Sequence, residues 1–173
     1  MHPAVLSTIL LLVCALATVT EGRNHHSIEV ECESYSDKPC GEGWSRIDES
    51  RCAKYNGSEK NFQEAQEHCR TLNSDLVSIH SLEEMSSVLC LTYHADSRHQ
   101  LIWIGAKKSG ENITRTDGTD GTNGTEFTYT VWDHETPDNK ESEFCIQLDI
   151  FDEGNLNGTY CSEKKNYVCA KKM

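Results

Sequence analysis

Basic residues are scarce in this chain. Sixteen Lys and Arg stand against 28 Asp and Glu among 173 residues, a formal net charge of -12 at neutral pH. A phosphate backbone repels such a chain before any short-range contact forms, which argues against nucleic acid or an anionic membrane surface as a partner. Long apolar runs are lacking as well. None reaches the roughly 18 to 20 residues that cross a bilayer, and the longest lies at the extreme N-terminus, so no membrane insertion is expected. Signatures of catalysis are missing too: there is no His-Glu-x-x-His zinc motif, no Gly-x-Ser-x-Gly elbow, no phosphate-cradling glycine loop and no Cys-x-x-Cys pair. His25, His26, His68, His80, His94, His99 and His134 are scattered without ligand spacing. The length suits one domain, and the chain reads as a binding protein, not an enzyme.

The apolar run that does exist, Val5 to Ala17, is rich in leucine and has the length of a signal-peptide hydrophobic region followed by small residues. Ala15-Leu16-Ala17 and Thr20-Glu21-Gly22 both offer cleavage sites; cutting near Gly22 assigns residues 1–22 to a signal peptide. That removes Cys14 and leaves eight of the nine cysteines. An even number in a secreted chain reads as disulfides. Four sequons, headed by Asn56, Asn112, Asn123 and Asn157, point to the same compartment, and three have glycine in the middle, which suits exposed turns. The expected localisation is secreted and extracellular.

Residues 23–39 are polar and carry no clear period, so they read as a loose N-terminal arm before a domain spanning 40–173. From Asn61 a capping box with Glu64 opens a helical pattern in which Phe62, Ala65, Cys69 and Leu72 share one face. Leu76, Val77 and Ile79 form a short strand-like run. Ser81 with Glu84 makes a second capping box before Leu82, Met85, Val88, Leu89 and Leu91, a second helix. Leu101 to Gly105 reads as a buried strand, and short strands with long polar loops follow. Two helices followed by strands place the chain in the α+β class. Three turn-forming tripeptides, Asp117-Gly118-Thr119, Asp120-Gly121-Thr122 and Asn123-Gly124-Thr125, read as an exposed loop expansion, because their acids do not alternate as an EF-hand requires.

An ordered set of residues along 40–172 resembles the C-type lectin-like domain family. It comprises Cys40 with Gly43-Trp44 and Cys52, then Phe62 to Cys69, then Leu76-Val77-Ser78-Ile79-His80-Ser81 with Glu84. Trp103-Ile104-Gly105, Asn123-Gly124-Thr125 with Tyr129 and Trp132, and Cys145, Cys161 and Cys169 complete it. The resemblance implies a double-loop domain of two helices and short antiparallel strands, with disulfides Cys40 to Cys52, Cys69 to Cys169 and Cys145 to Cys161. Cys32 and Cys90 are then left over. They can pair with each other or across subunits; a cysteine on a loose arm reaches a neighbouring chain easily, which favours an interchain link through Cys32 and a disulfide-linked homo-oligomer.

In that family a calcium ion, a hard cation wanting six to eight oxygens, leaves coordination positions for two sugar hydroxyls. The resemblance carries the site onto Thr136-Pro137-Asp138, Glu143 and Asn157-Gly158, with Asp138, Glu143 and Asn157 as metal ligands and Thr136 as a fourth sugar contact. Thr136 stands where the family has Glu or Gln, a hydroxyl being a shorter and weaker ligand. Asp138 matches the galactose type of site. Gly158 removes a carboxylate expected beside Asn157, and a glycan on the sequon that Asn157 heads would obstruct the oxygen an ion needs. Pro137 would be cis in such a loop, and the stacking aromatic of galactose-type sites is absent, with Phe144 and Tyr160 as substitutes. What is implied is a secreted lectin using calcium to bind galactose or N-acetylgalactosamine on cell-surface glycans, with secreted invertebrate haemolymph lectins of the barnacle type as a looser match. The alternative is a relative that has lost calcium and binds protein.

Overall fold

The structure, a computed structural model, describes residues 27–109, 112–118, 143–151 and 154–173. Residues 1–22, the expected signal peptide, together with Thr136, Pro137, Asp138, Asn123 and most of the tripeptide repeat, lie outside the described residues. Three helices are described, α1 (Ser27–Glu33), α2 (Phe62–Thr71) and α3 (Leu82–Ala95), with eight strands: β1 (Ser45–Arg46), β2 (Arg51–Lys60), β3 (Asp75–Leu76), β4 (Leu101–Ser109), β5 (Asn112–Arg115), β6 (Glu143–Asp149), β7 (Leu156–Thr159) and β8 (Lys165–Lys172). They form one sheet in the order β1-β2-β8-β4-β6-β7, with β3 added to β8 and β5 to β4. Only β4 and β8 run parallel; the other pairings are antiparallel.

The sheet separates two apolar clusters, and strand alternation decides which residue joins which. Ile102 and Ile104 of β4, Ile146 and Leu148 of β6 and Val168 of β8 face Met85, Val88 and Leu89 of α3. Trp103, Cys145, Tyr167 and Cys169, one position out of phase, face Phe62, Ala65 and Cys69 of α2. This is why the run from Leu101 is apolar throughout instead of alternating: both faces of β4 are covered. Gly105 on β4 has its own cause. A Cβ there would overlap the Leu76 carbonyl oxygen and Thr116 Oγ1, so only glycine lets β4 pass this close to the end of β3 and to Thr116.

The capping boxes separate into one complete and one partial. At α2, Asn61 Oδ1 accepts from the Glu64 backbone N–H at 2.9 Å and the Glu64 carboxylate accepts from the Asn61 N–H at 3.1 Å. At α3, Ser81 Oγ accepts from the Glu84 N–H at 3.2 Å, but the Glu84 carboxylate turns to the His80 N–H at 2.6 Å and to Arg51 Nη2 at 2.7 Å.

Four disulfides close within the chain: Cys40 to Cys52, Cys69 to Cys169, Cys145 to Cys161, and Cys32 to Cys90. The last corrects the expectation of an interchain link through Cys32. Its cause is a second correction: residues 27–33 are not a loose arm but the short helix α1. Ile28 and Cys32, one turn apart, are buried on its inner face against α3. His94 of α3 donates to the Cys32 carbonyl at 3.1 Å, and Tyr93 donates to the Glu29 carboxylate at 3.0 Å. Held in this way, Cys32 has Cys90 with Cα atoms 5.1 Å apart, so neither sulfur remains for a neighbouring chain.

Candidate functional site

Two of the four residues expected to bind sugar and calcium are described, and both lie on the last two strands of the sheet. Asn157 on β7 is paired in register with Gln147 on β6, and Cys145 with Thr159. Glu143 opens β6. Alternation puts Glu143, Cys145, Gln147 and Asn157 on the side of the sheet that carries α2. Lys107 of β4 corroborates this: its ammonium lies 5.5 Å from the ring centroid of Phe62 on α2 and 3.4 Å from Glu143 Oε2. The two candidates therefore share a face, but the structure does not bring them together. Four residues of strand, about 13 Å, separate the Glu143 position from Gln147, which stands directly opposite Asn157.

Each candidate is engaged by a neighbour that sequence reasoning passed over. Glu143, whose side chain is 56% exposed, pairs with Lys107. An ion pair this open contributes about 1 kcal/mol at most, so the carboxylate can exchange it for another cation. Asn157 Oδ1 accepts a hydrogen bond from Gln147 Nε2. Gln147 is only 7% exposed, and its buried Oε1 has no hydrogen-bond partner among the described residues. The one available sequence signal for Gln147 was its place two residues beyond Cys145, and that becomes meaningful only through the register. Gly158 pairs with Ile146 and adds no side chain.

The aromatic substitutes divide. Phe144 is 4% exposed and out of a ligand's reach, whereas Tyr160 is 61% exposed. Tyr160 follows the alternation of Leu156 and Gly158, the face opposite Asn157, and its ring lies 6.2 Å from that of Phe144. Neither is placed to stack on a sugar held at Asn157. Of the sequons, Asn56 turns its amide nitrogen inward to the Lys54 carbonyl at 3.0 Å and to Cys169 Sγ at 3.4 Å, while the bond at Asn157 uses the oxygen, leaving the glycan-bearing nitrogen out of it.

The segment that carries Thr136 and Asp138 leaves the described structure after Gly118 and re-enters it at β6. Its leading end is pinned. The Thr116 N–H donates to the Gly105 carbonyl at 3.0 Å, and Thr116 Oγ1 donates to the Leu76 carbonyl at 3.3 Å. Asp117 Oδ2 lies 3.5 Å from His80 Nε2, and His80 Nδ1 lies 3.2 Å from Glu84 Oε2. Hydrogen bonding to Asp117 first, and then to Glu84, holds the His80 pKa above its ordinary value of 6.5; Glu84 is held below its ordinary value although burial opposes this, by its bonds to His80 and Arg51. A histidine raised in the folded state contributes stability that is complete below its unfolded pKa and lost as pH rises through the folded one. His80→Gln is therefore expected to destabilise the protein more at pH 5.5 than at pH 8.5, read as urea midpoints at both values. An equal loss at the two pH values would remove the charge of His80 from the account.

Asp149, a further acid of the sheet, sits at the end of β6 remote from Glu143. It accepts the Phe151 N–H at 2.9 Å and meets His99 Nε2 at 3.2 Å. No group of three or more His, Cys, Asp or Glu suited to a metal ion occurs among the described residues.

Comparison with known proteins supplies the family. The model of the lectin C-type domain matches residues 58–171. The C-type isolectin Sp-CL4 of Scorpaena plumieri is 37% identical over 141 residues, which span 81% of this chain and 94% of that protein. An alpha-N-acetylgalactosamine-specific lectin of Patiria pectinifera is 31% identical, over 68% of this chain and 72% of that one. The same fold is seen in the herring type II antifreeze protein, 28% identical with a TM-score of 0.63 over 78% of this chain and 99% of that one. With the sheet, the two flanking helices and the four disulfides in agreement, this chain belongs to the C-type lectin domain family.

Proposed function

We propose that this chain is a secreted lectin that binds carbohydrate with calcium and favours galactose and N-acetylgalactosamine. The observation that carries the proposal is that Glu143 and Asn157 lie on one face of adjoining strands, with Glu143 where the chain re-enters the described structure after the segment bearing Thr136 and Asp138. Their chemistry fits the ion: a carboxylate and an amide supply hard oxygens, which calcium prefers, and Asp138 and Thr136 would add two more. Calcium, when bound, offers two coordination positions to vicinal sugar hydroxyls, while the ligand side chains accept or donate the hydroxyl hydrogen bonds. Asp138 after proline supports the galactose type, as does the N-acetylgalactosamine specificity in the name of the Patiria relative. The N-terminal apolar run, the sequons and the disulfides support secretion; among the described residues no helix is long and apolar enough to cross a membrane. The partners are glycans on cell surfaces or glycoproteins, and the role is recognition, not catalysis.

Weak single-site binding is raised by multivalency, but all eight described cysteines are paired within one chain. A homo-oligomer of this protein has to be held by non-covalent contacts.

One observation favours a second reading. The Asn157 oxygen is already taken by Gln147 and Gly158 offers no carboxylate, which suits a calcium-independent member that binds protein through the same surface. Adsorption to immobilised galactose in millimolar calcium, with elution by a chelator, separates the two. Retention released by chelator, and lost in Glu143→Ala, is the expected result. No retention on galactose or mannose supports, with or without calcium, would establish the second reading.

A further inference from the structure

The sequon Asn56-Gly57-Ser58 lies inside β2, and Asn56 stands directly opposite Tyr167 of β8. Alternation along β2 puts Asn56 on the face of Cys52, the side of the sheet that carries α2. There the side-chain nitrogen is the inner atom of the carboxamide: it donates to the Lys54 carbonyl at 3.0 Å and to Cys169 Sγ at 3.4 Å. The first of these bonds fixes the orientation. A backbone carbonyl can only accept, so turning the amide over would set Oδ1 against the Lys54 oxygen, two acceptors face to face, and neither partner is an amide side chain that could turn with it. We infer that Asn56 is closed to N-glycosylation in the native protein and that its carboxamide is instead a structural tie between β2 and β8. A glycan is carried by that same nitrogen, where it would attach a sugar ring to an atom 3.4 Å from a fully buried sulfur. Tyr167, the cross-strand neighbour, is fully buried as well, so the ring has no place on the β8 side. Carrying the sugar therefore requires the side chain to swing its nitrogen to solvent, which ends the bonds to Lys54 and Cys169. The hydroxyl of Ser58, the third residue of the sequon, is also engaged, by Tyr167. None of these contacts involves a candidate ligand of the sugar site, so the two readings stand or fall separately.

The test uses the full chain secreted from cultured eukaryotic cells, taking the fraction that melts cooperatively. Glycans are removed enzymatically in heavy-oxygen water, which marks each asparagine that carried one as a labelled aspartate, and the peptides are weighed. No label is expected at Asn56, and Ser58→Ala, which abolishes the sequon and keeps the carboxamide, is expected to leave the glycan mass of the protein unchanged. Asn56→Asp keeps the shape of the side chain but replaces the donor with an acceptor facing the Lys54 oxygen, and is expected to lower the thermal midpoint by about 5 °C. Should that variant not be secreted, Asn56→Ala, which loses the bonds without adding an acceptor, is expected to lower it by about 3 °C. Label at Asn56 in the folded fraction, or a glycan lost with Ser58→Ala, would overturn the closure of the sequon. A substituted chain that melts with the parent would overturn the structural tie.

Discussion

Replacing Cys69 and Cys169 together by alanine is expected to lower the stability of the folded chain by about 4 to 5 kcal/mol, the largest single effect of the four disulfides. Its cysteines are 100 residues apart, against 58 for Cys32 and Cys90, 16 for Cys145 and Cys161, and 12 for Cys40 and Cys52. In the chain-entropy picture the cost of leaving a loop open grows with the logarithm of its length, which places this bond first and Cys40 to Cys52 last. Burial adds to the ranking. Both Cys69 and Cys169 are fully buried at the junction of α2 with β8, in the cluster that also holds Phe62, Trp103 and Tyr167. Natural domains have only about 5 to 15 kcal/mol of net stability, so thermal unfolding is expected to fall by about 10 to 20 °C. A smaller shift than the one produced by removing Cys40 and Cys52 would show that native-state contacts, not loop closure, set the order.

Trp103→Ala is expected to cost nearly as much, about 3 to 5 kcal/mol for the cavity alone. Trp103 is fully buried, with its ring edge-on to Phe62 at 5.6 Å between centroids and the Lys165 ammonium 5.2 Å from its own centroid. Its indole N–H donates to the Lys60 carbonyl at 2.9 Å, tying β4 to the end of β2. Alanine leaves a void the rigid sheet cannot close and strands that carbonyl. Trp103→Phe keeps much of the ring volume and loses the hydrogen bond, so about 1 to 2 kcal/mol is expected. Chemical denaturation of the two variants checks the division. Equal losses would mean that the bond to Lys60, and not the packing, is what the tryptophan supplies.

Contacts three and four residues apart were legible in the sequence, because a helix brings such residues together whatever surrounds it. The Asn61 and Glu64 box is the example, complete as expected. The Ser81 and Glu84 box was legible only in half. Glu84 is drawn to Arg51, which lies 33 positions earlier in the chain, and no local pattern announces that charge. The helix α1 was missed for a related reason. Seven residues are too few to be helical alone, and these become so by docking Ile28 and Cys32 on α3, an event the polar composition of the segment conceals. With the helix missed, the partner of Cys32 was misjudged.

The candidate site shows the same division. Residue types at ordered spacing, the cysteines, Trp103-Ile104-Gly105, Glu143 and Asn157, were enough to assign the family and to nominate oxygen donors, since chemistry of that kind is carried by identity and order along the chain. The neighbours of those donors were not. That Lys107 faces Glu143 depends on the pairing of β4 with β6, and that Gln147 faces Asn157 depends on the pairing of β6 with β7. Register between strands is set by the packing of both sheet faces against α2 and α3, and a shift of one residue would reverse every side chain. The sequence by itself therefore determined the family and nominated the candidate ligands, and through the family resemblance it implied the three disulfides of the domain that the structure contains. Only the tertiary structure decided which neighbours Glu143 and Asn157 meet, Lys107 and Gln147, because those contacts exist only through the pairing of strands distant in sequence.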